Sequence, residues 1–124
     1  MKVIIAGGRG FVGRPEDREI LCSALLKLGA TEIVCGMARG ADMFGYSVAK
    51  EMGLPIAEFP AEWDRFGYRA GMIRNAEMAN YADALITFPG EQGTLNMVAE
   101  ANRRGLPVIK IEWPRAPSGD LKCP

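Results

Sequence analysis

The feature that most restricts this chain is a repeated alternation of short apolar runs with segments of helix length, the runs leading into turns rich in glycine and proline. Lys2-Val-Ile-Ile-Ala6 runs into Gly7-Gly8, and Glu32-Ile-Val-Cys35 into Gly36. Pro55-Ile-Ala-Glu-Phe59 ends at Pro60, Asp83-Ala-Leu-Ile-Thr-Phe88 at Pro89-Gly90, and Pro107-Val-Ile-Lys-Ile111 is the fifth run. The most continuous of these runs suit strands covered on both faces rather than one. Residues 15–28, 41–52, 72–81 and 94–104 read as helices. Pro15 with Glu16 and Asp17 marks a helix start, since proline fits the first turn and acids favour the positive end of the dipole. Ile20, Leu21, Ala24, Leu25 and Leu28 recur at helical spacing, and Gly29, Gly53 and Gly105 stand as stops. Residues 61–71 read as a polar and aromatic loop.

Strands alternating with helices predict a parallel sheet covered on both faces, and right-handed crossovers leave few ways to order it. The expectation is a single-domain, Rossmann-like, three-layer α/β fold. Its five-stranded parallel sheet has order 3-2-1-4-5. The 124 residues suffice for one core. The domain is expected over residues 1–112, with 113–124 as an extended C-terminal tail carrying three prolines. In such a sheet, ligands bind beyond the carboxyl ends of the strands where strand order reverses, here between strands one and four.

Composition narrows the chemistry. Lys+Arg and Asp+Glu are both 15, so the formal net charge is zero, which argues against a long electrostatic track for nucleic acid or an anionic membrane. There is no histidine, which removes Ser-His-Asp and Cys-His activation and the commonest transition-metal ligand. The three cysteines have no C-x-x-C spacing, so no metal site is expected, and Cys22 and Cys35 read as small core residues. No apolar run approaches the length of a membrane span. The chain is expected in the cytoplasm.

Arginine outnumbers lysine ten to five, and six of the ten arginines (Arg9, Arg14, Arg39, Arg65, Arg69 and Arg74) fall in or just after the first three strand-to-helix turns. Glycine lets backbone amides approach a ligand, helix N-termini present free N–H groups, and arginine grips phosphate through paired hydrogen bonds. The sheet edge therefore reads as an anion site. Its expected binding residues are Gly8, Arg9, Gly10 and Phe11 after strand one, and Gly36, Arg39, Gly40 and Asp42 after strand two. Trp63, Arg74 and Asn75 follow strand three, and Gly90, Gly93 and Thr94 follow strand four. Thr94 is also a candidate cap for the last helix. Gly8-x-Gly10-x-x-Gly13 has dinucleotide-binding spacing. Arg14-Pro15 separates it from its helix, however, and Cys35-Gly36 stands where the ribose-binding acid would be. No nicotinamide or other cofactor is expected.

Four separated motifs in order resemble the SLOG superfamily, most closely its YspA-like branch: Gly36-x-Ala38-Arg39-Gly40-Ala41-Asp42, Phe59-Pro60-Ala61-Glu62-Trp63-Asp64, Gly67-x-x-Ala70-Gly71-x-x-Arg74-Asn75-x-x-Met78 and Phe88-Pro89-Gly90-x-x-Gly93-Thr94. The resemblance implies a small phosphorylated nucleotide-like or ADP-ribose-like ligand, sensed or sequestered, and a homodimer or higher homo-oligomer. Two relatives suggest alternatives. The Lonely Guy phosphoribohydrolases, which cleave N-glycosidic bonds of nucleoside monophosphates, are similar around Pro89–Thr94. They carry a glutamate soon after the threonine, where this chain has Asn96 and Met97. Glu91, Asp64 and Glu62 are then the candidate catalytic acids. DNA processing protein A is similar around Gly36–Asp42 and binds single-stranded DNA, for which Trp63, Phe66 and Tyr68 would stack bases.

Overall fold

The computed structural model describes residues 1–112. The expected tail, 113–124, lies outside the described residues. The sheet is formed by β1 (Lys2–Ala6), β2 (Glu32–Cys35), β3 (Ile56–Glu58), β4 (Ala84–Thr87) and β5 (Val108–Lys110). All pairings are parallel, in the order β3-β2-β1-β4-β5. The helices are α1 (Pro15–Leu28), α2 (Ala41–Met52), α3 (Trp63–Phe66), α4 (Ala70–Tyr81) and α5 (Gln92–Arg103).

Both faces of the central strands are covered, as their unbroken apolar character requires. On one face Val3 and Ile5 pack with Leu21 and Leu25 of α1 and Val48 and Ala49 of α2. On the other, Ile4 and Ala6 pack with Met78 and Ala79 of α4 and Met97 and Ala101 of α5. Burying a Leu- or Ile-sized side chain contributes about 1.5–3 kcal/mol, so this two-sided packing is the main source of order in the three layers.

Local chemistry sets the helix ends. Pro15 opens α1, where Asp17 Oδ2 accepts the Arg14 backbone N–H at 3.0 Å. Gly29 ends that helix in the left-handed region at φ 66°. Segment 61–71 is more ordered than its polar sequence predicts. It forms the single turn α3, then a 3₁₀ turn at Gly67–Arg69 that runs directly into α4. The 3₁₀ bond from the Ala70 N–H to the Gly67 carbonyl starts α4 two residues before Met72, which places Ala70 in the core at 1% exposure. The α5 helix likewise begins at Gln92 rather than Thr94. Glu100 is buried, and Arg103 and Arg104 both pair with it at the helix end.

Candidate functional site

Parallel strands deliver all their following turns to one edge. There the β1–α1 turn (Gly7–Val12) meets the β4–α5 turn (Pro89–Glu91) at the reversal of strand order, since β1 pairs with both β2 and β4. The Gly8 N–H donates to the Pro89 carbonyl at 2.9 Å, locking the two turns together. Gly90 fits because Thr94 Oγ1 and the Gly8 nitrogen occupy the space a Cβ would need.

Above these turns opens a cleft of about 1270 Å³. Gly8, Arg9, Gly10 and Phe11 line it from the β1–α1 turn, and Gly90, Glu91, Gly93, Thr94 and Asn96 line it from the β4–α5 turn and the start of α5. Asp42, Trp63, Arg74 and Asn75 also line it. Met72, Met78 and Leu95 add apolar surface. No side chain caps α5, so Thr94 is not its cap, and the first-turn residues Gln92, Gly93 and Thr94 border the cleft. An uncapped helix start of this kind presents N–H groups and a positive dipole end.

The expected residues do not all reach this cleft. Gly36 and Arg39 line a smaller adjoining pocket of about 260 Å³, together with Arg9, Met37, Ala38, Pro60, Ala61, Trp63 and Arg74. Gly40 lines neither space. At φ 78° it packs against the Gly8 carbonyl and the Arg9 backbone, and the adjacent Ala41 N–H donates to that carbonyl at 3.1 Å. The first N–H of α2 is thus engaged by the β1–α1 turn. Of the three candidate acids, Glu91 borders the cleft, whereas Glu62 and Asp64 are exposed on the α3 segment and line neither space.

Arg74 is held from behind. It donates through Nη1 to the Gly36 carbonyl and through Nε to Asn75 Oδ1 at 3.0 Å. Asn75 in turn donates Nδ2 to Asn96 Oδ1 at 2.9 Å and the Gly93 carbonyl at 3.3 Å, fastening α4 to the start of α5. The sequence motif contains Arg74-Asn75, but its partners Gly36, Gly93 and Asn96 are distant in the chain and only the fold identifies them. Burial lowers the Arg74 pKa, opposed by the charge of Asp42. Asp42 is itself buried and accepts the Ala38 N–H at 3.2 Å. Burial pushes its carboxyl up to about 6, against the opposing effects of that hydrogen bond, Arg74 and Arg9. The buried Cys35 thiol is pushed up to about 11, chiefly by desolvation, and stays protonated at neutral pH. Trp63 is half exposed at 49%, and the Arg9 guanidinium lies 5.9 Å from its ring centroid across the junction of the two spaces. It is therefore neither a core residue nor wholly free. Among the described residues no cluster of His, Cys, Asp and Glu could hold a metal ion.

The fold and the cleft define a Rossmann-like α/β domain with a groove at its strand-order reversal. No family model and no solved structure matches the chain. It is 31% identical over 125 aligned positions to the Gene 61 protein of Mycobacterium phage D29, covering 89% of this chain and 95% of the phage protein, and it belongs to the same family. Among the described residues no helix is long and apolar enough to cross a membrane.

Proposed function

We propose that the cleft binds a nucleotide or nucleotide-derived ligand of the nucleoside-phosphate or ADP-ribose class, and that the protein senses or sequesters it in the cytoplasm. One observation carries this reading. The uncapped start of α5 and the guanidinium groups of Arg9 and Arg74 border one cleft, and neither arginine has an ion-pair partner among the described residues. Helix N–H groups and arginines together suit phosphate. Trp63, Met72 and Leu95 supply apolar surface for a base or sugar face. Calorimetry with nucleoside monophosphates and ADP-ribose tests the reading, and Arg74→Ala is expected to weaken binding by about 1.5–3 kcal/mol, the loss of a charged hydrogen bond. Unchanged affinity in that variant removes Arg74 from the site. Native mass spectrometry of the purified chain weighs any retained ligand and counts subunits, which tests the proposed homo-oligomer.

A second reading, cleavage of the ligand's N-glycosidic bond, is favoured by the place of Glu91 at the cleft wall. A carboxylate there would stabilise positive charge developing at the ribosyl carbon. Asn96, which stands where the resembling hydrolases carry glutamate, is engaged by Asn75 instead. The expected result is no base release above the Glu91→Gln background. Turnover that disappears in Glu91→Gln replaces the binding reading with the enzymatic one.

A further inference from the structure

The smaller pocket is more basic than the cleft it adjoins. Arg9, Arg39 and Arg74 all line it, and none of its lining residues is an acid. Arg9, Ala38, Trp63 and Arg74 line both spaces, so the two adjoin at these residues. Arg39 is exposed, and neither it nor Arg9 has an ion-pair partner among the described residues. Arg74 uses one Nη1 hydrogen and its Nε hydrogen on the Gly36 carbonyl and Asn75. Of the five donors on a guanidinium, three remain without a partner among the described residues.

The turn that carries Arg39 is held in an uncommon conformation. Met37 is the one non-glycine residue with positive φ among the described residues, at 63°. The hydrogen bonds from the Ala38 N–H to Asp42 and from the Met37 N–H to Cys35 Sγ hold the turn there. Such backbone persists only where the surroundings enforce it, and it recurs at ligand sites. The combined space, about 1270 Å³ and about 260 Å³, exceeds the roughly 300–1,000 Å³ usual for a drug-sized ligand.

We infer that the Arg9–Arg39–Arg74 pocket is a second anion subsite, and that the ligand is a nucleotide bearing two separate phosphate groups, one in the cleft and one in this pocket. The inference rests on the proposed nucleotide reading and deepens it. A mononucleotide lodged in the cleft leaves Arg39 unused, since Arg39 lines only the smaller pocket. A 3′,5′-bisphosphate or a 5′-phosphorylated dinucleotide engages both spaces, with Arg74 between the two phosphates and shared by them.

The test uses calorimetry on the full chain with the four nucleoside 5′-monophosphates, their 3′,5′-bisphosphates and the matching 5′-phosphorylated dinucleotides. In the wild type at least one two-phosphate probe is expected to bind about tenfold or more tighter than its monophosphate, as a charged hydrogen bond supplies. Arg39→Ala, a change at an exposed position, is expected to bring that ratio near one, and Arg39→Lys to restore part of it. Arg74→Ala is expected to weaken both classes of probe. Equal affinity of one- and two-phosphate probes, or a ratio that survives Arg39→Ala, overturns the second subsite while the nucleotide reading stands. Failure of every probe to bind overturns the nucleotide reading, and the subsite with it.

Discussion

Asp42 shows how much of this site depends on burial. Its carboxylate is enclosed beneath the turn that carries Arg39, and Asp42 Oδ2 lies 2.7 Å from where a Cβ on Gly36 would stand. Arg74 Nη1 lies 2.8 Å from the same point, so glycine at position 36 is what leaves room for both side chains beside the strand end. With a folded pKa of about 6 against 3.8 in the open chain, the folded protein holds the Asp42 proton more tightly than the unfolded one. The corresponding stabilisation is full below about pH 4 and is lost as pH rises through about 6. The shift corresponds to up to about 3 kcal/mol. Asp42→Asn keeps an oxygen for the Ala38 N–H and has no proton to lose. Its stability relative to wild type is therefore expected to rise between pH 4 and pH 7.5 in urea denaturation, and a pH-independent difference would show that Asp42 titrates normally. Asn75 was expected to contact ligand, and it lines the cleft while spending its amide on Gly93 and Asn96. Its direct effect is to hold the start of α5 against α4.

At the scale of elements, α2 sits so close to β1 that position 45 has no room for a side chain. A Cβ on Gly45 would stand 2.7 Å from Ile5 Cγ2 and 2.8 Å from Ile5 Cβ. Because Ile5 belongs to the packed core, Gly45→Ala is expected to destabilise the fold by about 1–3 kcal/mol through overpacking. Gly93, in the first turn of α5, is the opposite case, with nothing within 4 Å of its added Cβ. Gly93→Ala is expected to fold with stability raised by about 0.5 kcal/mol, and to weaken nucleotide binding because its methyl enters the cleft. Thermal denaturation of both variants, with calorimetry on the second, checks the pair. The two glycines look alike in sequence, and only the neighbouring element distinguishes them. The α3 segment differs from the four longer helices, since none of its residues is buried. Its role is to bring Trp63 to the junction of the two spaces.

Across the whole molecule, order is concentrated at the centre of the sheet. The last four residues of β1 and all four of β4 are buried, whereas no residue of β3 or β5 is fully so. Amide exchange is expected to be slowest in β1 and β4 and faster in β3, whose opening should cost less than global unfolding. Uniform protection across the sheet would contradict this gradient. The strand order was legible because unbroken runs such as Val3–Ala6 can be satisfied only by cover on two faces, and parallel crossovers then leave few arrangements. The edge on which the turns gather follows from that same topology. Which turn residues line the cleft was legible only in part. Arg39, Gly40 and Arg74 all sit in or after glycine-bearing turns, yet one lines the side pocket, one packs on the Gly8 carbonyl, and one stands at the junction of both spaces. By itself, then, the order of apolar runs and turn residues determined the three layers and the edge that carries the cleft, because burial and chain chirality act on patterns that are local in sequence. Only the tertiary structure decided which arginines remain unpaired and which helix start remains open. Those outcomes depend on contacts between residues far apart in the chain, such as Arg74 with Gly36 and Ala41 with Gly8, and no local pattern encodes such contacts.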